Sequence, residues 1–447
     1  MDETLTYSYN ILSTLTQNNG QDELQLAKFS EIQKASDAPC FFIGKVKQPF
    51  IMARCLVTLA NVVKASFNLS PAQLALLKDP IVSAGYERVR FEGFSHCAGV
   101  YARVDILPDG LSGDFLQSGT TNVDFNQPML SALAAIRNSE AVTLSVGQKS
   151  VGLHRENSQV IERKVPLPVK WIKGLSSVQI YLAQSASGHQ LTKIQAQQLF
   201  RSLPKGQVKT DYFLVMRGNT PQFSPVKSAA AICIGGLHRL RLLEPLLPFI
   251  DRMQVFAHPQ MQSTSWQLYF GALRFSLTLS RDCWRGFSGE GATLAALNEG
   301  VDESWLTIFD EQAQANQTIE PAFFTSAGNR WLGKTDTLSA QLAAMGLLGF
   351  DLDDGAYFYR QLPFKPARIL SLNPRLKGAE KLIADNKVAI ISQQGARTEA
   401  RVEGSGVQHT VIIDASGERC TCEWFSKYQG QRGPCKHVLA VKKLIMA

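Results

Sequence analysis

Gly417-Glu418-Arg419-Cys420-Thr421-Cys422-Glu423 and, after a 12-residue spacer from Cys422, Cys435-Lys436-His437-Val438 are the stretches that decide how the end of this 447-residue chain folds. Three thiolates and one imidazole form a common donor set for tetrahedral Zn²⁺, with bonds of about 2.3 Å to sulfur and about 2.0–2.1 Å to nitrogen. Four protein ligands, Cys420, Cys422, Cys435 and His437, close the shell, so a single ion is expected to hold structure and to perform no chemistry. A Cys-x-Cys pair leaving a strand turns both sulfurs to one point only where the backbone bends. The second pair lies at a predicted helix start opened by Pro434, where the positive end of the helix dipole favours the Cys435 thiolate and His437 turns in from the first turn. Gly430 and Gly433 let the spacer fold back. In so small a module the metal supplies much of the folding free energy, on the order of 10 kcal/mol in isolated fingers.

Working outward, Ala379–Ala384 suits a short helix, and Lys387–Ser392, Thr398–Glu403 and Gln408–Asp414 suit three strands, with a hairpin turn at Gly404-Ser405-Gly406. The predicted terminal helix places Val438, Val441, Leu444 and Ile445 on one face. The order Cys-x-Cys, spacer, Cys-x-His, with the hairpin before it, resembles the SWIM zinc finger. That resemblance implies a ββα-like zinc module that binds DNA or proteins, and no catalytic activity. Upstream, Gly119-Thr120-Thr121-Asn122-Val123-Asp124-Phe125, Glu162-Arg163-Lys164-Val165-Pro166-Leu167-Pro168 and Trp284-Arg285-Gly286-Phe287-Ser288-Gly289-Glu290-Gly291 resemble bacterial SWIM-finger proteins that occur beside MoxR-type AAA+ ATPases and von Willebrand A-type partners. The implied role is an adaptor in a multi-protein assembly.

Charge is placed unevenly. The segment 365–447 holds 14 Lys and Arg against 7 Asp and Glu, so nearly all of the net +8 sits at the C-terminal end. Zinc held by three thiolates would remove about one unit from that excess. Arg419, Lys427, Arg432, Lys436, Lys442 and Lys443 interleave with Trp424, Phe425 and Tyr428, a combination able to pair with phosphates and stack on bases. Each also has a structural reading: Trp424 and Phe425 can fill the small core over the metal, and Lys442 and Lys443 can complement a helix C-terminus.

The remaining cysteines, Cys40, Cys55, Cys97, Cys233 and Cys283, are scattered in mostly apolar surroundings and read as buried thiols. The acidic start Met1-Asp2-Glu3 lacks the features of a secretory leader, and the apolar stretch Ala229–Ile250 is broken by His238, Arg239, Arg241, Glu244 and two prolines. No membrane span and a cytoplasmic location are therefore expected. In the upstream region, Phe41–Val46 and Val100–Val104 read as strands, Met52–Phe67 as a helix, Leu69-Ser70-Pro71 as a second helix start, and Trp266–Leu279 as two strands turning at Gly271. Thr335–Met345 followed by Ala356–Arg360 suits a helix and then a strand.

Catalytic signatures fail on spacing. Gly113–Thr120 lacks the lysine of a phosphate-binding loop and reads as a surface turn; Gly286–Gly291 has Glu290 where a nucleophile elbow needs glycine. Ser95-His96-Cys97, taken as strand neighbours, would point to opposite faces. No motif links Glu92, Asp105 and Asp124. The expectation is a non-enzymatic α+β chain of several domains: an N-terminal α+β domain at 1–164, a mixed α/β domain at 165–366, and a SWIM region at 367–447 with its core at 408–447. Its partners would be proteins of the AAA+ or von Willebrand A type or, alternatively, DNA or RNA bound through the basic end. An enzyme of unrecognised type, with its site upstream of Lys365, is the third reading.

Overall fold

Alternation of apolar and polar residues along Val89-Arg90-Phe91-Glu92, Ala102-Arg103-Val104-Asp105 and Leu273-Arg274-Phe275-Ser276 builds the central element of the molecule, because strand side chains point to opposite faces with period two. The computed structural model describes residues 14–18, 21–25, 40–65, 80–85, 87–156, 158–165, 169–283, 286–287, 292–299, 335–360, 362, 372–404, 406–430 and 432–446.

In chain order the first elements are β1 (Thr14–Asn18), β2 (Gln21–Gln25), β3 (Cys40–Val46), α1 (Pro49–Lys64), β4 (Ile81–Gly85), β5 (Arg88–Phe94), β6 (Val100–Ile106), β7 (Leu111–Phe115), β8 (Gly119–Asn122), α2 (Gln127–Ala134), β9 (Val142–Gly147), β10 (Ser150–Arg155) and β11 (Ser158–Arg163). Next come α3 (Val169–Ala183), β12 (Ala186–Thr192), α4 (Lys193–Arg201), β13 (Tyr212–Arg217), β14 (Thr220–Ser224), β15 (Ile232–Ile234), a 3₁₀ segment Leu237–Phe249, β16 (Arg252–Ala257), β17 (Ser263–Phe270) and β18 (Leu273–Ser280). The chain continues through α5 (Ala292–Glu299), α6 (Thr335–Ala344), β19 (Leu348–Asp351), β20 (Ala356–Tyr359), α7 (Pro374–Ala384), β21 (Val388–Gln394), β22 (Arg397–Gly404), β23 (Val407–Asp414), β24 (Gly417–Cys420), α8 (Glu423–Tyr428) and α9 (Lys436–Met446).

The chain thus mixes helices with several sheets. An antiparallel eight-stranded sheet has the order β12-β16-β17-β18-β6-β5-β4-β8, and a five-stranded sheet runs β11-β10-β9-β3-β7. Four strands of the larger sheet precede residue 164 and four follow it, joined where β18 pairs with β6. One apolar core takes Phe42, Met52, Leu56 and Val104 from one side of that position and Leu240, Leu268 and Phe275 from the other. The boundary expected at 164 therefore does not divide two cores. A second apolar cluster likewise joins Leu294, Leu338, Leu342 and Leu348 to Val438, Leu439, Ala440 and Val441 of the last helix, so the 367–447 region packs on the residues before it.

The Trp266–Leu279 hairpin forms as expected, with Gly271 at φ +61° in its turn, a conformation that suits glycine. The apolar stretch 229–250 becomes β15 and the 3₁₀ segment, with Pro245 and Pro248 inside it. No helix among the described residues is long and apolar enough to cross a membrane. Two local expectations change. Gly113 and Thr120 lie in strands β7 and β8, so that stretch is strand, turn and strand. Ser95-His96-Cys97 forms a turn between β5 and β6, in which the Val100 amide donates to Ser95 Oγ at 3.0 Å and the Ala98 amide to the Ser95 carbonyl at 2.8 Å. The helix start at Leu69-Ser70-Pro71 lies outside the described residues, as do Pro166–Pro168, Trp284-Arg285 and Ser288–Gly291.

The polar face of the large sheet is buried. Arg90, Glu92, Arg103, Asp105 and Arg274 are each at most 5 % exposed, and an ion in such a place costs several kcal/mol unless it is paired. Asp105 takes Arg90 Nε at 3.0 Å and Arg103 Nε at 2.9 Å. The remaining guanidinium charge is met from outside the sheet by the acidic tip of the β19–β20 hairpin. Asp351 accepts from Arg274 at 2.7 and 3.1 Å, lies 3.4 Å from Arg103 and 3.6 Å from Arg90, and Asp353 and Asp354 pair with Arg274 and Arg88. Arg103 Nη1 also donates to the Phe350 carbonyl at 2.7 Å, and Phe358 lies under Arg90. Glu92 is met in the same layer through one carboxylate oxygen, Oε1, by Arg360 and by the Tyr101 hydroxyl.

Burial alone would raise the pKa of Asp351, yet Arg103, Arg274 and Arg90 outweigh it and hold the carboxyl well below the usual carboxylate range. A depressed native value stabilises the fold at every pH above the unfolded value of about 3.9, and that contribution is lost as pH falls below it toward the native value. Asp351→Asn is therefore expected to destabilise the chain by about 3–5 kcal/mol at pH 7, because it strands buried guanidinium charge. Asp354→Ala at the solvent rim is expected to cost under about 1 kcal/mol. Urea unfolding at pH 7 and at about pH 2.5 checks both, since the wild-type advantage over Asp351→Asn should narrow only below the unfolded value of about 3.9; equal stability at pH 7 would refute the lock.

Candidate metal centre

The four-stranded sheet β21-β22-β23-β24 delivers the first ligands. Cys420 is the last residue of β24, and the ladder extends one step beyond it: the Thr421 amide donates to the Thr410 carbonyl at 3.1 Å, while the Thr410 amide donates to Thr421 Oγ1 at 3.0 Å. The chain then bends at Cys422, which caps α8; its sulfur accepts from the Phe425 amide at 3.4 Å. Cys435 plays the same part at the last helix, its sulfur accepting from the Val438 amide at 3.5 Å and its carbonyl from the Leu439 amide at 3.0 Å. Helix α9 thus begins at Lys436, two residues after Pro434. Both caps put a sulfur at the positive end of a helix, where a thiolate is favoured.

One donor atom from each of Cys420, Cys422, Cys435 and His437 lies within 4.8 Å of the others, and all four residues are buried. His437 presents Nδ1, at 3.7 Å from Cys420 Sγ and 4.0 Å from Cys435 Sγ. Bonds of ordinary zinc length imply tetrahedron edges of roughly 3.5–3.8 Å, so the donors are set for one ion. Their chemistry agrees. The Cys435 thiol is pushed down to about 4 by its hydrogen bond with Cys420, against the opposing effect of burial and with help from His437 and the Val438 amide. The same bond, followed by burial, pushes Cys420 up, and burial pushes Cys422 up. Three adjacent thiolates repel, and a divalent cation is what allows all three to lose their protons together. Zinc supplies a structural cross-link between two helix starts and a strand end, with no coordination position left for substrate.

Around the shell, the His409 ring lies 4.4 Å from the His437 ring, tilted by 33°. Gly404 leaves room for both imidazoles, since a Cβ there would lie 2.9 Å from His437 Nε2 and 3.3 Å from His409 Cδ2. Along α9 the buried run is Val438, Leu439, Ala440 and Val441, and Leu444 is 36 % exposed. The single face expected for this helix is corrected: neighbours meet it on more than one side, including Asn298 Nδ2, which donates to the Leu439 carbonyl at 3.2 Å.

The basic residues singled out in the sequence do not converge on one bare patch. Arg419 pairs with Asp414, Lys442 with Glu418, and Lys443 with Glu380 at 2.9 Å. Arg432 lies 4.7 Å from the Trp424 ring centroid and 4.4 Å from that of Tyr428, and Lys427 lies 5.5 Å from Tyr428. The aliphatic stem of Lys436 borders Gly378 of α7. Trp424 and Phe425 pack against the cluster that contains the ligands, which favours their structural reading. The upstream carboxylates Glu92 and Asp105 belong to the buried ion layer, and Ser95 Oγ is used within its own turn. One participant that sequence reasoning did not find is Arg375 of α7, whose Nη1 donates to the carbonyls of Arg432 at 3.0 Å and Pro434 at 2.8 Å.

The family model of the SWIM zinc finger matches residues 409–445, so the C-terminal module carries a SWIM finger whose Cys/His cluster fits one structural zinc ion. No curated protein matches the sequence. Among solved structures, the proliferating cellular nuclear antigen from Entamoeba histolytica is similar at 12 % identity and a TM-score of 0.37, over 54 % of this chain and 99 % of that one. A likeness of that degree tells nothing further about this molecule.

Elemental analysis of the purified chain is expected to give one zinc per molecule, and Cys420→Ser, Cys435→Ser or His437→Ala to reduce it at least tenfold. Chelation should also shift Trp424 fluorescence, because α8 starts on a ligand. Full zinc retention by Cys435→Ser would exclude this site.

Proposed function

We propose that the chain is a non-catalytic adaptor that binds another protein, with its zinc holding the binding module in shape. The observation that carries this reading is the outer edge of β21, Val388-Ala389-Ile390-Ile391-Ser392-Gln393-Gln394, which contains no charged residue. It is the end strand of the four-stranded sheet, and among the described residues nothing pairs with its outer side. Ile390 is 38 % and Ile391 52 % exposed. A strand with open backbone donors and acceptors and apolar side chains is suited to accept an extended segment of a partner as a further strand. The upstream resemblance suggests an AAA+ ATPase or von Willebrand A-type protein as the class of partner; the cytoplasmic setting is the expectation drawn from the sequence features above.

A second reading, nucleic-acid binding by the basic C-terminal module, is favoured by Arg432 and Lys427 beside the Trp424–Tyr428 ring pair. It is weakened by the three carboxylates that already engage Arg419, Lys442 and Lys443.

Salt and one edge mutation separate the two. The tagged full chain, recovered from its own cells without cross-linking, is expected to retain a defined protein at about 0.5 M salt and to lose it when Ile390 and Ile391 are both changed to Lys, which blocks strand addition at an exposed site. Affinity for DNA or RNA that falls steeply with salt and is indifferent to those changes, with no salt-resistant protein recovered, would replace the adaptor reading by the second.

A further inference from the structure

We infer that Arg375, outside the segment matched by the SWIM family, is a positioning residue of the zinc site. The two ligand pairs are separated by the spacer 423–434, and nothing in the ligand shell fixes how that spacer closes. Arg375 touches both of its ends. Its Nη1 donates to the carbonyls of Arg432 and Pro434, the latter being in the residue immediately before Cys435. Its guanidinium carbon lies 4.5 Å from the ring centroid of Trp424, on the helix that Cys422 caps. One planar cation therefore holds the approach to Cys435 and the helix leaving Cys422 in a fixed relation, and Arg432 lies over the same indole at 4.7 Å.

Arg375 is itself anchored. It belongs to the first turn of α7, whose Leu376, Ala379 and Leu382 are buried in the cluster that holds Cys420, Cys422, Cys435 and Val438–Val441. The Lys443–Glu380 pair adds a second tie between α7 and α9. The working zinc unit thus begins at α7 rather than at the start of the matched segment. An arginine suits the position better than a lysine because a planar guanidinium can stack on an aromatic ring while donating to backbone carbonyls. Residues that orient metal ligands without touching the metal typically govern affinity by 10–100-fold.

The test uses the zinc-loaded full chain and a colorimetric chelator to read the rate of zinc release. Arg375→Ala is expected to release zinc at least tenfold faster than wild type, and Arg375→Lys by an intermediate factor. Lys377→Ala, an exposed change on the same helix, should match wild type. Cobalt substitution gives a second readout: the thiolate-to-cobalt absorption of Arg375→Ala should form, showing that the ligands still assemble, and bleach faster under chelator. In the zinc-stripped proteins, wild type and Arg375→Lys should unfold at the same urea concentration, which assigns the effect to the metal-bound geometry. Release within twofold of wild type for both Arg375 variants would overturn the inference, as would a loss of stability in stripped Arg375→Lys equal to that in the loaded protein.

Discussion

Three thiolates and an imidazole can crowd within 4.8 Å of one another in a buried space only if a cation neutralises them, and the geometry of the C-terminal module follows from that constraint. It requires a strand end, a short helix and the last helix to start from one point. Each element meets it with a local device: a ladder extended by Thr421, a sulfur cap at Cys422, and a sulfur cap at Cys435. Because α8 has only six residues and buries none of its side chains fully, packing alone gives it little reason to form. The metal and the contacts of Trp424 supply that reason.

The same need to compensate charge governs the upstream half at a larger scale. The apolar face of the eight-stranded sheet packs in the usual way. Its other face carries arginines and carboxylates under cover, which is stable only because the acidic turn of the β19–β20 hairpin completes the pairing. This hairpin also has apolar contacts in two directions: Leu348 and Tyr359 lie in the cluster around the finger, and Phe350 and Leu352 in the cluster over the sheet and α3. This short element is therefore one of the links between sheet and zinc module, electrostatically at its tip and by packing along its length, beside helix α3, whose residues lie in both clusters.

How much of this was legible in the sequence depends on the range of the interaction. Cys420, Cys422, Cys435 and His437 could be read because ligand chemistry and spacing are written into one short stretch of chain. Strands such as Val100–Ile106 and the hairpin at Gly271 could be read from period and turn chemistry. The polar alternation of Arg90-Phe91-Glu92 and Arg103-Val104-Asp105 was also visible, but alternation cannot distinguish a solvated face from a covered one. What covers it, Asp351 to Asp354, lies far along the chain. The boundary expected at 164 was read from composition, and composition shifts along a chain do not reveal that β18 will pair with β6 across it. Arg375 left no trace because its acceptors are backbone carbonyls, which every residue has.

The placement of charge in the fold adds to what its total says, and it bears on the two proposed readings. A surplus concentrated at one end of a chain suggests a face for polyanions only if the cations are free to turn outward together. Here Arg419, Lys442 and Lys443 are drawn to Asp414, Glu418 and Glu380, three of the seven acidic residues in that region, and Arg375 is committed to carbonyls and an indole. Four of the fourteen cations in that segment are thus engaged within the module, Lys442 tying α9 to β24 and Lys443 tying it to α7. The edge of β21 differs: it has no charge to be screened, its isoleucines are already in water, and its outward backbone groups are not paired by any described strand. Natural sheets commonly guard such an edge with lysine, proline or a covering loop. Ile390 and Ile391 stand there across one irregular step in the pairing with β22, and this unguarded edge is the feature on which the proposed protein-binding reading rests.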